Sequence, residues 1–213
     1  MASIEFNHKT VLLNEAVDVM SIRPDGIYVD GTTGGAGHSK LIAGKLTTGR
    51  LISIDKDPDA IAVAKERLSG FACSTVVQAD FSDFDSVLDS LGIDKVDGVV
   101  LDLGVSSPQL DRAERGFSYH NDAPLDMRMN QRGGRTAADV VNNYSEEELA
   151  QIFSQYGELD TTWKIAACIA RARANEEIKT TAQLVQAVAP CTPKKDESKF
   201  LTKLFQALRI EVN

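Results

Sequence analysis

The sequence predicts an α/β fold built on a parallel sheet, followed by a helical segment. Three observations carry that reading. Short apolar runs alternate with helix-period stretches through the first half of the chain. The runs are nearly wholly apolar, as strands covered on both faces should be. After residue 110 no strand signal returns, and only helical patterns follow.

Residues 11–22 place apolar side chains at helical spacing, and Pro24-Asp-Gly26 turns the chain into a strand at 27–30. A loop of small residues, Gly31-Thr-Thr-Gly-Gly-Ala-Gly37, leads into a helix over 38–46. A second strand is predicted at 51–55. Asp57 then caps a helix that has Pro58 at its first position and runs through Leu68. The third strand is expected at 74–78, with Ser82 capping the next helix, and the fourth at 96–101. Residues 111–135 read as loop. Ser145-Glu-Glu-Glu148 is a capping box, and further helices are expected over 162–174, 180–189 and 195–213. The division this implies is an α/β domain over 1–110 and a loop-plus-helix domain over 111–213.

The chain has 213 residues and a net charge of −8, unevenly spread. The first 111 residues carry 9 basic against 17 acidic side chains, and the remainder carry 14 of each. A polyanionic partner should therefore meet the second half, where Arg112, Arg115, Arg128, Arg132 and Arg135 crowd one loop. A solvated surface loop is the other reading of those arginines. Cys73, Cys168 and Cys191 are far apart in sequence, which fits free thiols in a reducing compartment and a cytoplasmic protein. Three scattered histidines offer no zinc spacing, so no metal is expected. No apolar run has membrane-spanning length, and no membrane partner is expected.

The glycine loop lets a ligand approach backbone amides at a helix N-terminus. It spells neither a dinucleotide fingerprint nor a phosphate-cradling P-loop. Asp55 ends strand two about two dozen residues after the first glycine, where an acid can accept ribose hydroxyls. It also reads as a turn residue beside a helix N-terminus. Asp80-Phe81 ends strand three, where a carboxylate and a ring can hold an adenine by edge and face. The most unusual stretches come later: DLGVSSPQ at 102–109, AERGF at 113–117 and PLDMRM at 124–129. They form a polar, Gly/Pro-punctuated loop at a strand's carboxyl end, where open α/β sheets keep their chemistry.

Taken with HKTVLL at 8–13, Glu15, DGTTGGAGH at 30–38, IDKD at 54–57 and FQALRI at 205–210, these stretches resemble the bacterial RsmH/MraW family of 16S rRNA (cytosine-N4)-methyltransferases. The motifs are spread over the whole chain. The resemblance implies a Rossmann-like, S-adenosylmethionine-dependent methyltransferase fold with a helical insertion after strand four. It implies that Ala36, Gly37 and His38 line the methionine side of the cofactor, that Asp55 takes the ribose, and that Phe81 packs at the adenine. Asp102 and Gln109 would complete the pocket near the donor methyl, with Asp102 the candidate catalytic carboxylate. The implied partner is 16S rRNA in the small ribosomal subunit, and the product N4-methylcytidine.

Arg115, Phe117, Asp126 and Arg128 are the candidate substrate contacts: aromatic rings (Phe117, and Tyr119 beside it) to stack an unstacked base, and Arg115, Arg128 and Arg132 to hold phosphates. Asp126 has a second reading, as the partner of an arginine. Family members run on past the helix that holds Phe205, so strand four is expected as a sheet edge with an apolar face open to association, including as a homodimer. A noncatalytic remnant that binds S-adenosylmethionine or RNA is the second reading of the chain. A nucleotide-dependent oxidoreductase is the third, disfavoured by the broken fingerprint.

Overall fold

A computed structural model describes residues 10–213. The chain forms two compact units, which meet in sequence at Ser107 and Pro108.

In the first unit, α1 (Leu13–Val19), β1 (Ile27–Asp30), α2 (Gly37–Lys45), β2 (Arg50–Asp55), α3 (Pro58–Arg67), β3 (Ser74–Gln78), α4 (Phe84–Ser90) and β4 (Gly98–Val100) follow in order. All strand pairs are parallel and the sheet order is β3-β2-β1-β4. Alternation along the strands divides the core. Tyr28 and Leu51 pack on one face with Val17 of α1, Ile42 of α2 and Ala64 of α3. Val29, Ile52 and Ile54 pack on the other with Val87 and Leu88 of α4. Each buried Val, Leu or Ile among them contributes roughly 1.5–3 kcal/mol. The Asp57 side chain caps α3 through the Asp59 N–H at 3.0 Å, with Pro58 behind it, as expected.

Two local expectations fail. The cap after β3 is Asp80, not Ser82: its carboxylate accepts the Ser82 N–H at 3.0 Å and opens a 3-10 turn, Phe81–Asp83, ahead of α4. The outer strand β3 is also not covered on both faces, whereas β4 is the open sheet edge expected of strand four. β3 is only half-buried, and around the three-residue β4 Val99 is 42% and Leu101 46% exposed.

The second unit contains α5 (Ser107–Asp111), a 3-10 turn (Ala113–Arg115), α6 (Ala137–Asn143), α7 (Glu146–Gln155), α8 (Thr162–Arg173), α9 (Thr181–Val188), a 3-10 turn (Ala189–Cys191) and α10 (Glu197–Val212). α6, α7 and α9 each begin with a capping box, set by Thr136/Asp139, Ser145/Glu148 and Thr180/Gln183. The stretch expected to be all loop holds α5 and a 3-10 turn, and Pro124 makes an isolated bridge to Thr180. α6 was not expected at all. No helix among the described residues is long and apolar enough to cross a membrane.

Candidate functional site

Because every strand is parallel, β1 to β4 deliver their carboxyl ends to one edge of the sheet. The strand order reverses between β1 and β4, and an open sheet forms its binding crevice at such a point. Gly31 sits at that point. A Cβ on it would lie 2.5 Å from Leu101 Cδ2 and 3.4 Å from Phe81 Cβ, so the missing side chain lets three strand ends converge.

The loop after β1 is built on polar side chains. Asp30 is buried, accepts the Ser39 hydroxyl at 2.6 Å and the Thr32 N–H at 3.2 Å, and Ser39 is in turn 2.8 Å from the Ser53 hydroxyl. Burial pushes the Asp30 carboxyl up to about 6, against the pull of those hydrogen bonds. Thr32 Oγ1 accepts the Asp102 N–H at 2.6 Å, which joins the loop to the segment after β4. Ala36 takes a left-handed conformation, φ 60°, at the start of α2. His38 follows on the first turn, buried, and its Nε2 has no hydrogen-bond partner among the described residues. A Cβ on Gly37 would meet Thr10 Oγ1 at 1.9 Å.

Asp55 closes the loop from the other side. Its Oδ2 accepts the Gly34 N–H at 2.8 Å and its Oδ1 the Asp57 N–H at 2.9 Å. Burial raises its pKa despite both bonds. Each oxygen keeps a further lone pair, so the carboxylate can still accept from a ligand hydroxyl. Phe81 leaves 36% of its surface exposed, and Asp102 is exposed. Asp80 is held by Lys56 at 2.8 Å; burial pushes its carboxyl up, but the Lys56 and Ser82 bonds outweigh that and hold it low. The first unit thus gathers Ala36, Gly37, His38, Asp55, Phe81 and Asp102 at one end of its sheet. Asp30, Thr32, Ser39 and Ser53 are supports that sequence reasoning missed. The acid ending β1 just before the glycines was the available signal. HKTVLL begins at His8 and Lys9, which lie outside the described residues.

In the second unit Gln109 is buried on α5. The expected substrate contacts are instead internal to the loop. Arg115 is 4% exposed, and its Nη2 donates to the Arg128 and Met129 carbonyls, both at 3.0 Å. Phe117 is buried, with the Arg115 guanidinium 5.7 Å from its ring centroid. Both side chains are buried within a stretch that builds its own small core. Tyr119 is also engaged: its hydroxyl lies 3.0 Å from Ser198 Oγ and its ring packs edge-on to Phe205. Asp126 grips Arg128 through both oxygens, at 2.7 and 2.8 Å, and accepts its N–H at 3.0 Å. Burial pushes the Asp126 carboxyl up, and Arg128 more than reverses this.

A parallel sheet in this order, with a glycine loop after its first strand and acidic residues ending the first two, is the framework of a Rossmann-like methyltransferase. The chain belongs to the MraW methylase family, whose model matches residues 5–213. It is 51% identical over 213 residues to ribosomal RNA small subunit methyltransferase H of Clostridium botulinum (strain Loch Maree / Type A3), covering 99% of this chain and 69% of that protein. It is 52% identical over 215 residues to the protein of that name from Lachnospira eligens, covering 99% of this chain and 68% of the relative. The Brevibacillus brevis protein of that name is 48% identical over 218 residues, covering 100% and 69%.

Proposed function

We propose that this chain binds S-adenosylmethionine at the carboxyl edge of its sheet and directs methyl transfer to the exocyclic N4 of a cytidine in 16S rRNA, presented by the small ribosomal subunit. The observation that carries the reading is the convergence of Asp55, Phe81 and Asp102 on the loop that holds the buried, unpartnered His38 Nε2. Those residues fit the cofactor. The imidazole nitrogen and the amides opening α2 would hold the methionine carboxylate, the Asp55 carboxylate the ribose hydroxyls, and the half-exposed Phe81 ring the adenine. When bound, S-adenosylmethionine supplies a methyl group on a good sulfonium leaving group.

The chain's own task is alignment and electrostatics. An exocyclic amine is a weak nucleophile because its lone pair is delocalised into the ring. An acceptor fixed beside its N–H groups favours a tetrahedral nitrogen and takes up the charge that develops there. Asp102 is the carboxylate at the right edge, and Thr32 fixes its backbone. Holding a target nucleotide in line can itself remove several kcal/mol of barrier.

Calorimetry of the chain with S-adenosylmethionine, with NAD as comparator, tests the pocket; selective binding of the former is expected, and preference for NAD sinks the reading. Transfer of labelled methyl to unmodified small subunits tests the reaction. Asp102→Ala should cut turnover about 10²-fold or more while leaving subunit binding intact. Unchanged turnover removes Asp102 from the chemistry.

A further inference from the structure

Most arginines of the second unit are already engaged. Arg115 donates to two carbonyls, Arg128 is held by Asp126, Arg135 faces Glu211 at 3.9 Å, and Arg173 donates to the Val141 carbonyl at 2.7 Å. Arg209 differs. It stands in the last turn of α10, half-buried, and its guanidinium has no hydrogen bond, ion pair or ring contact among the described residues. Burial lowers its pKa, and no anion opposes the shift. A guanidinium does not shed its proton to escape that cost, so the charge stays. A cation partly withdrawn from water without a partner is costly, and a bound anion relieves the cost.

The position of Arg209 on α10 says where such an anion would lie. Ser198, Thr202, Phe205, Arg209 and Asn213 recur at helical spacing and share one side of the helix. Both ends of that stripe are clasped by the loop over 117–129. The Tyr119 hydroxyl lies 3.0 Å from Ser198 Oγ and 3.3 Å from Thr202 Oγ1, and its ring packs edge-on to Phe205. At the other end Asn213 Nδ2 donates to the Met127 carbonyl at 2.7 Å, and Asn213 Oδ1 accepts the Met129 N–H at 2.8 Å. Arg209 falls one turn after Phe205 and one turn before Asn213, between the two clasps. Asn213 Nδ2 also donates to the Arg209 carbonyl at 2.9 Å, which ties the second clasp to the backbone of Arg209.

We propose that Arg209 binds a phosphate of the RNA substrate at the seam between α10 and the loop over 117–129. The proposal rests on the RNA-methylation reading above and names a residue of its substrate site. The guanidinium fork matches two phosphate oxygens. Part of the desolvation that binding requires is already met in the folded protein, which leaves less to be lost when the phosphate arrives. Charge also favours this half of the chain. The first 111 residues carry 9 basic against 17 acidic side chains and repel a polyanion, whereas the remainder carry 14 of each.

The test is filter binding of labelled 16S rRNA to the full chain at several salt concentrations, with S-adenosylmethionine calorimetry and thermal melting beside it. Arg209→Met should weaken rRNA binding about five- to twenty-fold at low salt and lower the slope of log K against log salt by about 0.7–0.9. Arg209→Lys should keep the wild-type slope. The melting temperature of Arg209→Met should equal or exceed that of the wild type, because the variant removes an unpaired charge. Its affinity for S-adenosylmethionine should not change. An unchanged salt slope in Arg209→Met overturns the site. So does an equal loss in Arg209→Met and Arg209→Lys with a lowered melting temperature, which marks a packing role. A fall in S-adenosylmethionine affinity with rRNA binding intact overturns it as well, since the anion then belongs to the cofactor. Arg209→Gln carries the same test if Arg209→Met does not fold. A wild-type chain that binds S-adenosylmethionine but no rRNA fails the RNA reading and the site together; one that binds rRNA with a slope indifferent to Arg209 fails the site alone.

Discussion

The Thr32 hydroxyl oxygen accepts the backbone N–H of Asp102 at 2.6 Å, across 70 positions of sequence. Thr32 N–H in turn donates to the buried Asp30 carboxylate at 3.2 Å. The loop after β1 therefore sets where the residue after β4 stands. Thr32→Val keeps the shape and removes the acceptor. Losing one such bond is worth about 1–3 kcal/mol. The expected outcome is about a ten-fold or larger fall in methyl-transfer kcat, with KM for S-adenosylmethionine changed less and the melting temperature within a few degrees. Thr32→Ser should recover most of the rate. A normal kcat in Thr32→Val would show that this bond does not position Asp102.

Asp30 should leave a mark on the pH dependence of stability. Its folded pKa, about 6, lies above the ordinary carboxylate value of 3.8, so the folded state holds the proton more tightly. The sign follows: its contribution is full below about pH 4, falls as pH rises through 6, and is level above. The total loss is about 3 kcal/mol, at 1.36 kcal/mol per pH unit. Asp30→Asn removes this slope and keeps an oxygen for the Ser39 or Thr32 donor. Denaturant unfolding of both proteins from pH 4 to 7.5 checks it. The variant should gain on the wild type as pH rises, and parallel curves would mean that Asp30 titrates normally.

Arg115 and Arg132 were grouped in sequence as phosphate contacts, and the structure separates them. Arg115 is buried and bonded to two carbonyls, whereas Arg132 is exposed. Arg115→Ala should cost about 3 kcal/mol of stability, because it removes charged hydrogen bonds and strands buried carbonyls. It should leave the salt dependence of RNA binding by the folded fraction unchanged. Arg132→Ala should cost under about 0.5 kcal/mol. If its guanidinium touches a phosphate, the slope of log K against log salt falls by about 0.7–0.9. Denaturation and filter binding at several salt concentrations separate the two.

Elements stabilised by their own sequence were legible. β1 and β3 fall at the residues the apolar runs mark, and Asp57-Pro58 opens α3 as a cap and first-turn proline should. What was hidden depends on distant partners. Ser39 and Ser53 read as neutral positions until the Asp30 carboxylate brings them together. α6 has only seven residues, too few to show a clear period, and its start is fixed by Thr136 and Asp139. Arg115 reads as a surface charge because the carbonyls of residues 128 and 129 that satisfy it are placed by folding alone, whereas the second reading of Asp126, as the partner of an arginine, is met by Arg128. That Asp55, Phe81 and Asp102 stand at one edge of the sheet was legible, since any parallel sheet sends its strand ends to the same side.

Gly116 is the point where the arginine-anchored loop closes on itself. Its φ is 72°, and a Cβ there would lie 2.3 Å from the Pro124 carbonyl oxygen and 2.9 Å from the Asp126 nitrogen. Both obstacles are backbone, and Asp126 N–H is itself bonded to the Pro124 oxygen at 2.9 Å, so neither can step aside cheaply. Gly116→Ala therefore combines a disfavoured conformation with a clash, and should destabilise the second unit by about 2–4 kcal/mol. Gly133→Ala, in the same loop but with nothing within 4 Å of the added carbon, should stay within about 0.5 kcal/mol. Denaturation midpoints and limited proteolysis of residues 117–135 check both variants. If Gly116→Ala leaves the midpoint and the cleavage pattern unchanged, the turn at Gly116 is not the closure that holds Pro124 to Met129 in place.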